Sequence, residues 1–354
     1  MTRLTKNRSR KAGLPPGTAV HIGVKRQTAT RIHVMQYQAD GVTEREWQDG
    51  EAGRPFDVTS GVTWVHVTGV HDVSRLGRLA QSFGLHPLVV EDISNTDQRP
   101  KVEDYSGYLY VVLKLLRDNT PTGEIEVEQM SLVLGPGFVL TFEEAEPTVF
   151  DTVRERLRNN RNAIRSQPAD YLAYSLIDSA VDNYFVVLEN FGERVERLQE
   201  ELMKKAGPRV PHTLHQLRRE TVSLRKSVWP LRDVVGALER GSSTLIRDDT
   251  RVYLRDVYDH AIHLIDTLES QREILAYTLD LYLLSATNRL NEIIKVLTIF
   301  ATLSVPPMLV ASIYGMNFKY MPELAWPWGY PAALGLMAAA VAAMLVYFRR
   351  KKWF

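Results

Sequence analysis

No cysteine occurs anywhere in the 354 residues. That excludes disulfides, thiolate metal centres and cysteine nucleophiles, and it fits a reducing compartment. An excess of either charge is also missing: 43 Lys and Arg stand against 42 Asp and Glu. Such a balance argues against general nucleic-acid binding. No Walker-type phosphate loop, Gly-x-Gly-x-x-Gly or nucleophile elbow is found, so neither nucleotide binding nor ATP-driven pumping is expected, and no catalytic site is assigned. Residues 1–13 are basic and polar without an apolar run, unlike a secretory signal, and residues 1–17 are expected to be a disordered tail. Glycine is missing from Thr250 to Tyr314, where Pro306 and Pro307 are the only prolines.

What is present is concentrated near residue 300. Two apolar spans, about 293–313 and 330–348, each approach the ~20 apolar residues that a helix needs to cross a bilayer. The loop 315–328 between them carries only Lys319 and Glu323 as charges. Arg349, Arg350, Lys351 and Lys352 follow the second span as a basic tail, 349–354. Basic flanks stay on the cytoplasmic side, so both termini are expected there and the loop outside, in a multi-pass protein of the plasma (inner) membrane. Trp326, Trp328, Tyr330, Tyr347 and Trp353 stand where aromatic residues anchor at interfaces.

Residues 18–146 read as an α/β cytosolic domain. Strand-like runs occur at Val20–Val24, Arg31–Tyr37, Val62–Val67, Tyr108–Leu116 and Met130–Leu134. Gly135-Pro136-Gly137 predicts a hairpin into Phe138–Phe142, and Val73–Phe83 reads as a helix capped by Asp72. A helical region, 147–249, follows, with helices at Thr148–Arg165, Ala169–Lys205 and about His212–Leu238. Gly207-Pro208 and Pro211 break the pattern, Pro230 is expected to bend the third helix, and Gly241-Ser242-Ser243 is a linker. Residues 250–314 then predict one stalk helix of about 95 Å that contains the first span. The second span is expected as a helix over 329–348. The fold class is therefore an α+β membrane protein.

One face of the stalk has heptad spacing. Asp280, Thr287, Asn291, Ile294, Thr298, Ala301, Val305, Met308 and Ser312 follow alternating steps of three and four after a first step of seven. Such a seam suits coiled-coil packing, or a pore lining if identical helices surround an axis. Polar Asp280 and Asn291 favour the pore, because buried polar groups need water or partners. The pairs His212/His215 and His260/His263 have zinc-like spacing but no obvious further ligand, and are expected to be solvated helix faces.

The run Tyr314-Gly315-Met316-Asn317, followed by Tyr320-Met321-Pro322-Glu323-Leu324 and a second apolar span, resembles the CorA family of magnesium transport proteins. Stretches 86–93, 98–103, 174–178 and 255–260 match the family pattern too, so the resemblance covers about 86–354. It implies a homopentameric funnel whose first membrane helices line the pore. Gly315, Met316 and Asn317 would form the selectivity motif at the outer mouth, with Asn317 facing a hydrated ion. Mg²⁺ gives up its waters reluctantly, so a ring of amide oxygens can bind its hydration shell without stripping it. Asp92 and Asp256 match the family's regulatory Mg²⁺ ligands between subunits, with Glu91 and Asp178 nearby, and Asp280 matches a cytosolic pore-mouth carboxylate. Lys319 stands where relatives often carry an acid, which leaves Glu323 to set the electrostatics of the external loop. Val305 and Met308 make a constriction at Ile294, Leu297, Val305 and Met308 more prominent.

The resemblance implies Mg²⁺ influx, with Co²⁺ and Ni²⁺ as further cargo, gated by intracellular Mg²⁺ bound between subunits. The partners implied are other copies of the chain, the lipid bilayer and divalent cations. Two alternatives remain open: a zinc or cobalt transporter of the same superfamily, and a membrane-anchored metal sensor or scaffold without a pore.

Overall fold

The computed structural model describes residues 13, 15, 17–23, 25–26, 29–47, 61–119, 124–145, 149–204, 207, 209–241 and 243–353. Most of the expected tail 1–17 lies outside the described residues, as do Val24, Pro147, Thr148, Lys205, Pro208, Ser242 and Phe354. The chain divides into two compact units, one of residues 1–200 with 208–276, the other of 201–207 with 277–354.

The first unit opens with strands β1 (Arg31–Gln38), β2 (Gly41–Glu46) and β3 (Val62–Thr68). Helices α1 (Val73–Ser82) and α2 (Pro87–Ser94) follow, then strands β4 (Lys101–Tyr105), β5 (Tyr108–Asn119), β6 (Glu124–Gly135) and β7 (Phe138–Glu143). All seven strands form one sheet, ordered β2-β1-β3-β7-β6-β5-β4. Every pairing is antiparallel except β3 with β7, where Val65 lies opposite Leu140. β3 and β7 are buried along their whole length at the centre of the sheet, and their polar members pair inside it: Trp64 Nε1 donates to the Thr141 hydroxyl at 3.0 Å, and His66 Nδ1 lies 2.9 Å from the same oxygen. Asp72 caps α1 by accepting from the Arg75 amide at 3.0 Å. At the β6–β7 hairpin Gly137 takes a left-handed φ of 77°, and the Phe138 ring lies where a side chain on Gly135 would stand.

One sheet face packs against α1 and α2 through a core that includes Val65, Leu76, Leu79, Val89, Tyr110 and Phe142. The long helices α4 (Ala169–Lys204) and α5 (Val210–Arg240) follow α3 (Asp151–Arg158) and the 3₁₀ turn Arg161–Ser166. Two bonds pin α4 to β5: Asn183 Nδ2 donates to the Leu116 carbonyl at 2.5 Å, and the Tyr184 hydroxyl to that of Lys114 at 2.6 Å. A two-pronged ion pair from Arg194 to Glu220, at 2.7 and 3.0 Å, ties α4 to α5.

Several expectations need correction. The described part of the expected strand Val20–Val24, residues 20–23, is no strand; Ile22 makes a single bridge to Asn95. The expected helix Thr148–Arg165 is broken, because Asn160, Asn162 and Ala163 take left-handed φ values between α3 and the 3₁₀ turn. The third helix starts at Val210 instead of His212, so Pro211 belongs to its first turn, where its missing N–H has no helical partner to lose. Pro230, expected to bend this helix, lies inside it. The short strands β2 and β4 and helix α2 had no expected counterpart.

α6 (Asp248–Tyr314) is one helix of 67 residues, so the expected continuity holds. Pro306 and Pro307 lie inside it and deprive the Thr302 and Leu303 carbonyls of amide donors. Just before them, the Thr302 hydroxyl donates to the Thr298 carbonyl at 2.7 Å and Ser304 to that of Phe300 at 2.9 Å.

In the second unit, the 3₁₀ turn Pro322–Ala325 leads to α7 (Gly329–Arg350). Both α6 and α7 contain stretches long and apolar enough to cross a membrane, and the chain itself covers little of either. The family-type arrangement is thus present: an N-terminal α/β domain, a long helix, and two apolar helices near residue 354.

Candidate ion path and metal-binding cluster

The seam on α6 lies on a face that its own chain leaves open. Asp280, Thr287, Asn291, Ile294, Leu297, Thr298, Ala301, Val305, Met308 and Ser312 are all exposed. The covered positions lie on another side of the same helix: Ile299 is buried, and Lys295, Thr302, Leu303, Pro306 and Val310 are half-buried. Exposure is 50% at Ile294, 65% at Leu297 and 65% at Met308, against 8% at Ile299. At ~100° per residue, the two stripes point more than a quarter-turn apart. The Thr287 hydroxyl gives its proton to the Leu283 carbonyl at 2.9 Å, which leaves its oxygen lone pairs to face outward.

The seam ends at the mouth motif. After Tyr314 the Gly315 amide still donates to the Ala311 carbonyl at 2.9 Å, and Met316 donates to Ile313 at 3.2 Å. Gly315 is not among the glycines with a left-handed φ. Its need is space: a Cβ there would stand 3.1 Å from the Ala311 carbonyl oxygen. Asn317 is exposed, and among the described residues its amide makes no hydrogen bond. Lys319 and Glu323 are exposed. The Glu323 backbone matters sterically, because its carbonyl oxygen lies 2.3 Å from where a Cβ on Gly329 would be.

The four acids matched to regulation have separate surroundings. Asp92, on α2, accepts from Lys101 Nζ at 2.6 Å and from Gln98 Nε2 at 2.5 Å. Glu91 accepts from the Gly17 amide at 2.6 Å. Asp256, on α6, is exposed and lies 3.9 Å from His260 Nε2. Asp178, on α4, does join a cluster: its carboxylate, that of Asp182 and a ring nitrogen of His260 lie within 4.8 Å of one another. Tyr174 donates weakly to Asp178 at 3.4 Å, and Phe185 meets the His260 ring edge-on at 5.6 Å. Burial first, and the Asp182 charge next, push the Asp178 carboxyl above its usual range. A bound cation would relieve both.

This cluster corrects the expectation for His260, which is half-buried rather than solvated and has two carboxylates as neighbours. Asp182 and His260 were missed. The signal for Asp182 was its place one turn after Asp178 on an amphipathic helix. His263 instead packs on Phe185, and His212 and His215 are exposed without a third ligand among the described residues. The same step of seven leads back from Asp280 through Glu273, Asp266 and Asp259, all exposed acids.

A family model described as CorA-like Mg²⁺ transporter protein matches residues 59–350. The chain is 47% identical over 348 residues to the cobalt/magnesium transport protein CorA of Thermotoga maritima, a match that covers 98% of this chain and 99% of the relative. It is 24% identical to the protein of the same name from Methanocaldococcus jannaschii, over 79% of this chain and 87% of the relative. The solved CorA structure from M. jannaschii superposes with a TM-score of 0.77 at 20% identity, covering 93% of this chain and 100% of that one. The cytoplasmic domain of ZntB from Vibrio parahaemolyticus gives 0.56 at 12% identity, over 74% of this chain and 99% of that one. These two structural matches show the fold.

Proposed function

The chain belongs to the CorA-like Mg²⁺ transporter family, and on that premise we propose that it conducts Mg²⁺, with Co²⁺ as a second cargo, along the α6 seam of a homopentamer. The observation that carries this reading is the open seam ending beside an unengaged Asn317 amide. Apolar positions off the seam, such as Val296 and Phe300, are exposed as well and suit lipid, whereas a stripe with polar ends suits contact with other copies of itself. Around a symmetry axis the bare stripes become a pore wall.

The chemistry follows the order of residues. At the mouth, amide oxygens of Asn317 accept hydrogen bonds from waters of the hydrated ion, and Mg²⁺ keeps its shell. These contacts are weak enough for the ion to leave again, as conduction requires. Deeper in, Ile294, Leu297, Val305 and Met308 form apolar rings that close by dewetting. Asn291, then the hydroxyl oxygen of Thr287 and Asp280, receive the ion at the other end. No energy source beyond the electrochemical gradient is needed: the membrane potential supplies ~2.3 kcal/mol per charge per 100 mV. The inner membrane is the proposed location, with both termini cytoplasmic.

Regulation by the same ions is assigned to the Asp178–Asp182–His260 cluster with Asp256 beside it, and to Asp92 and Glu91 across a subunit boundary. Binding there favours the closed state only through tighter affinity for it. The ring nitrogen in the cluster suits Co²⁺ or Zn²⁺ better than Mg²⁺, which supports the cobalt reading as the second one. Uptake of Mg²⁺, Co²⁺ and Zn²⁺ into liposomes that contain only this protein tests the proposal. Mg²⁺ entry driven by an inside-negative potential is expected. Absence of any flux would leave the sensor or scaffold reading.

A further inference from the structure

α7 ends in an unusual way. Lys352 takes a left-handed φ of 57°, a conformation that normally falls to glycine at a helix end. The Trp353 amide donates back to the Phe348 carbonyl at 3.0 Å, and the Lys352 amide to that of Arg349 at 3.1 Å. The Trp353 ring stacks on Phe348, with centroids 5.4 Å apart and planes 18° from parallel. Phe348 is the last apolar residue of the span and is buried. The chain is therefore folded back so that the indole rests on the end of the apolar stretch, where tryptophan anchors at an interface.

Arg349, Arg350, Lys351 and Lys352 are held in this turn, and all four are exposed. Among the described residues none of their side chains makes a hydrogen bond or ion pair. No acid occurs from Gly329 to Trp353. Successive positions on a helix fan around its axis, so the cations surround the end of α7 instead of lining one side. Two are arginines, whose forked guanidinium matches a phosphate bidentately.

We propose that Tyr347–Trp353 is a built docking surface for the anionic phospholipid headgroups of the leaflet in which α7 ends. The partner chemistry is a phosphodiester carried on a lipid, and the inference rests on α7 crossing the bilayer. Cations here also set topology and complement the helix dipole, and the turn is of the common Schellman kind; what is particular to it is that its closing apolar contact is an indole on the end of the membrane stretch. The Trp353–Phe348 stack fixes the cations at headgroup depth, where each is worth roughly a fivefold gain in partitioning to an anionic surface.

The test uses full-length protein in phosphatidylcholine vesicles with trace spin-labelled lipid. The motionally restricted fraction of labelled phosphatidylglycerol is compared with that of labelled phosphatidylcholine. The wild type is expected to favour phosphatidylglycerol by roughly fivefold or more, and less so at high salt. R349Q/R350Q/K351Q/K352Q should bring the ratio close to one. Trp353→Ala, which keeps every charge, should at least halve it. A wild-type ratio near one, or full selectivity in either variant, overturns the proposal. Displacement by millimolar glycerol phosphate would also overturn it, by identifying a site for soluble phosphates. An unchanged restricted phosphatidylcholine component shows that each variant is still in the bilayer. If no restricted lipid of either kind appears, the membrane reading itself has failed.

Discussion

Lys101 occupies Asp92: its ammonium lies 2.6 Å from Asp92 Oδ2 and 2.5 Å from Glu103 Oε1. Asp92 is therefore not a bare charge in this fold. A divalent ion arriving at Asp92 competes with an ammonium already in place. Lys101→Gln is expected to ease that competition. A partly exposed pair of this kind is worth ~0.2–1 kcal/mol, so half-inhibition should move to lower internal Mg²⁺ by about 1.4- to fivefold. The check is flux measured against internal Mg²⁺ in liposomes. A curve identical to wild type would remove Asp92 from the ligand set.

The Asp178 carboxyl titrates above its usual range because it is buried and faces Asp182. Its protonated form is therefore favoured by the metal-free fold. That contribution is present below the unfolded-state pKa and is lost as pH rises through the raised folded value. Without metal, thermal stability should decline across that interval, and Asp178→Asn should flatten the slope. Metal binding has the opposite sign, since it requires the anion, so Co²⁺ affinity should weaken on acidification. Asp178→Asn should cost at least ~10-fold in affinity, the lower end of losses seen for residues that only support a ligand. Co²⁺ titration of detergent-solubilised protein at several pH values reads both effects.

Asn317 has no partner among the described residues that would compensate for its loss. Each amide–water contact is worth ~1 kcal/mol, and a ring multiplies it. Asn317→Ala should lower Mg²⁺ uptake by roughly tenfold or more, since ~1.4 kcal/mol is one decade. Size-exclusion profiles should stay unchanged. Normal Mg²⁺ flux in this variant would exclude the amide ring as the selective element.

Gly329 separates a steric role from a chemical one. A methyl group there would stand 2.3 Å from the Glu323 carbonyl oxygen, so the turn Pro322–Ala325 or the start of α7 must move. Overpacking of this sort costs ~1–3 kcal/mol. Gly329→Ala should reduce thermal stability and uptake together. Gly315→Ala, with 3.1 Å to the Ala311 oxygen, should do so more mildly. Equal effects would show that the external loop absorbs both.

Leu297 is 65% exposed on the bare stripe. If apolar rings close the path by dewetting, Leu297→Ser should raise ion leak under closed conditions by several-fold. Dye-reported Mg²⁺ entry at high internal Mg²⁺ measures it. An unchanged leak would place the constriction elsewhere on α6.

Where patterns were long and periodic, the sequence read true. Glycine-free α6 and the hairpin around Pro136 were legible because each rests on local rules. β2 was not, since Glu44, Arg45 and Glu46 are exposed and only pairing with β1 makes them a strand. α3 broke at Asn160 because asparagine tolerates a left-handed turn that helical periodicity does not reveal. At the site, the heptad spacing of the seam is legible in the sequence alone, while Leu284 interrupts its polar series between Asp280 and Thr287. The Asp178–Asp182–His260 cluster joins α4 to α6 across 78 residues of sequence, from Asp182 to His260, and no single-sequence pattern spans that gap.

The lone parallel pairing, β3 with β7, has a bearing on how the domain is made. β2-β1-β3 and β7-β6-β5-β4 are each runs of antiparallel neighbours that assemble from nearby residues. They meet only where Thr63–Thr68 aligns with Phe138–Glu143. On a growing chain, therefore, the first half-sheet must wait with the β3 edge unpaired until β7 has been synthesised. Closing that distant junction is the slow, loop-entropy-limited step. Until it closes, the apolar β3 is an open edge, and chaperone capture or misassembly would act on the nascent chain during this interval.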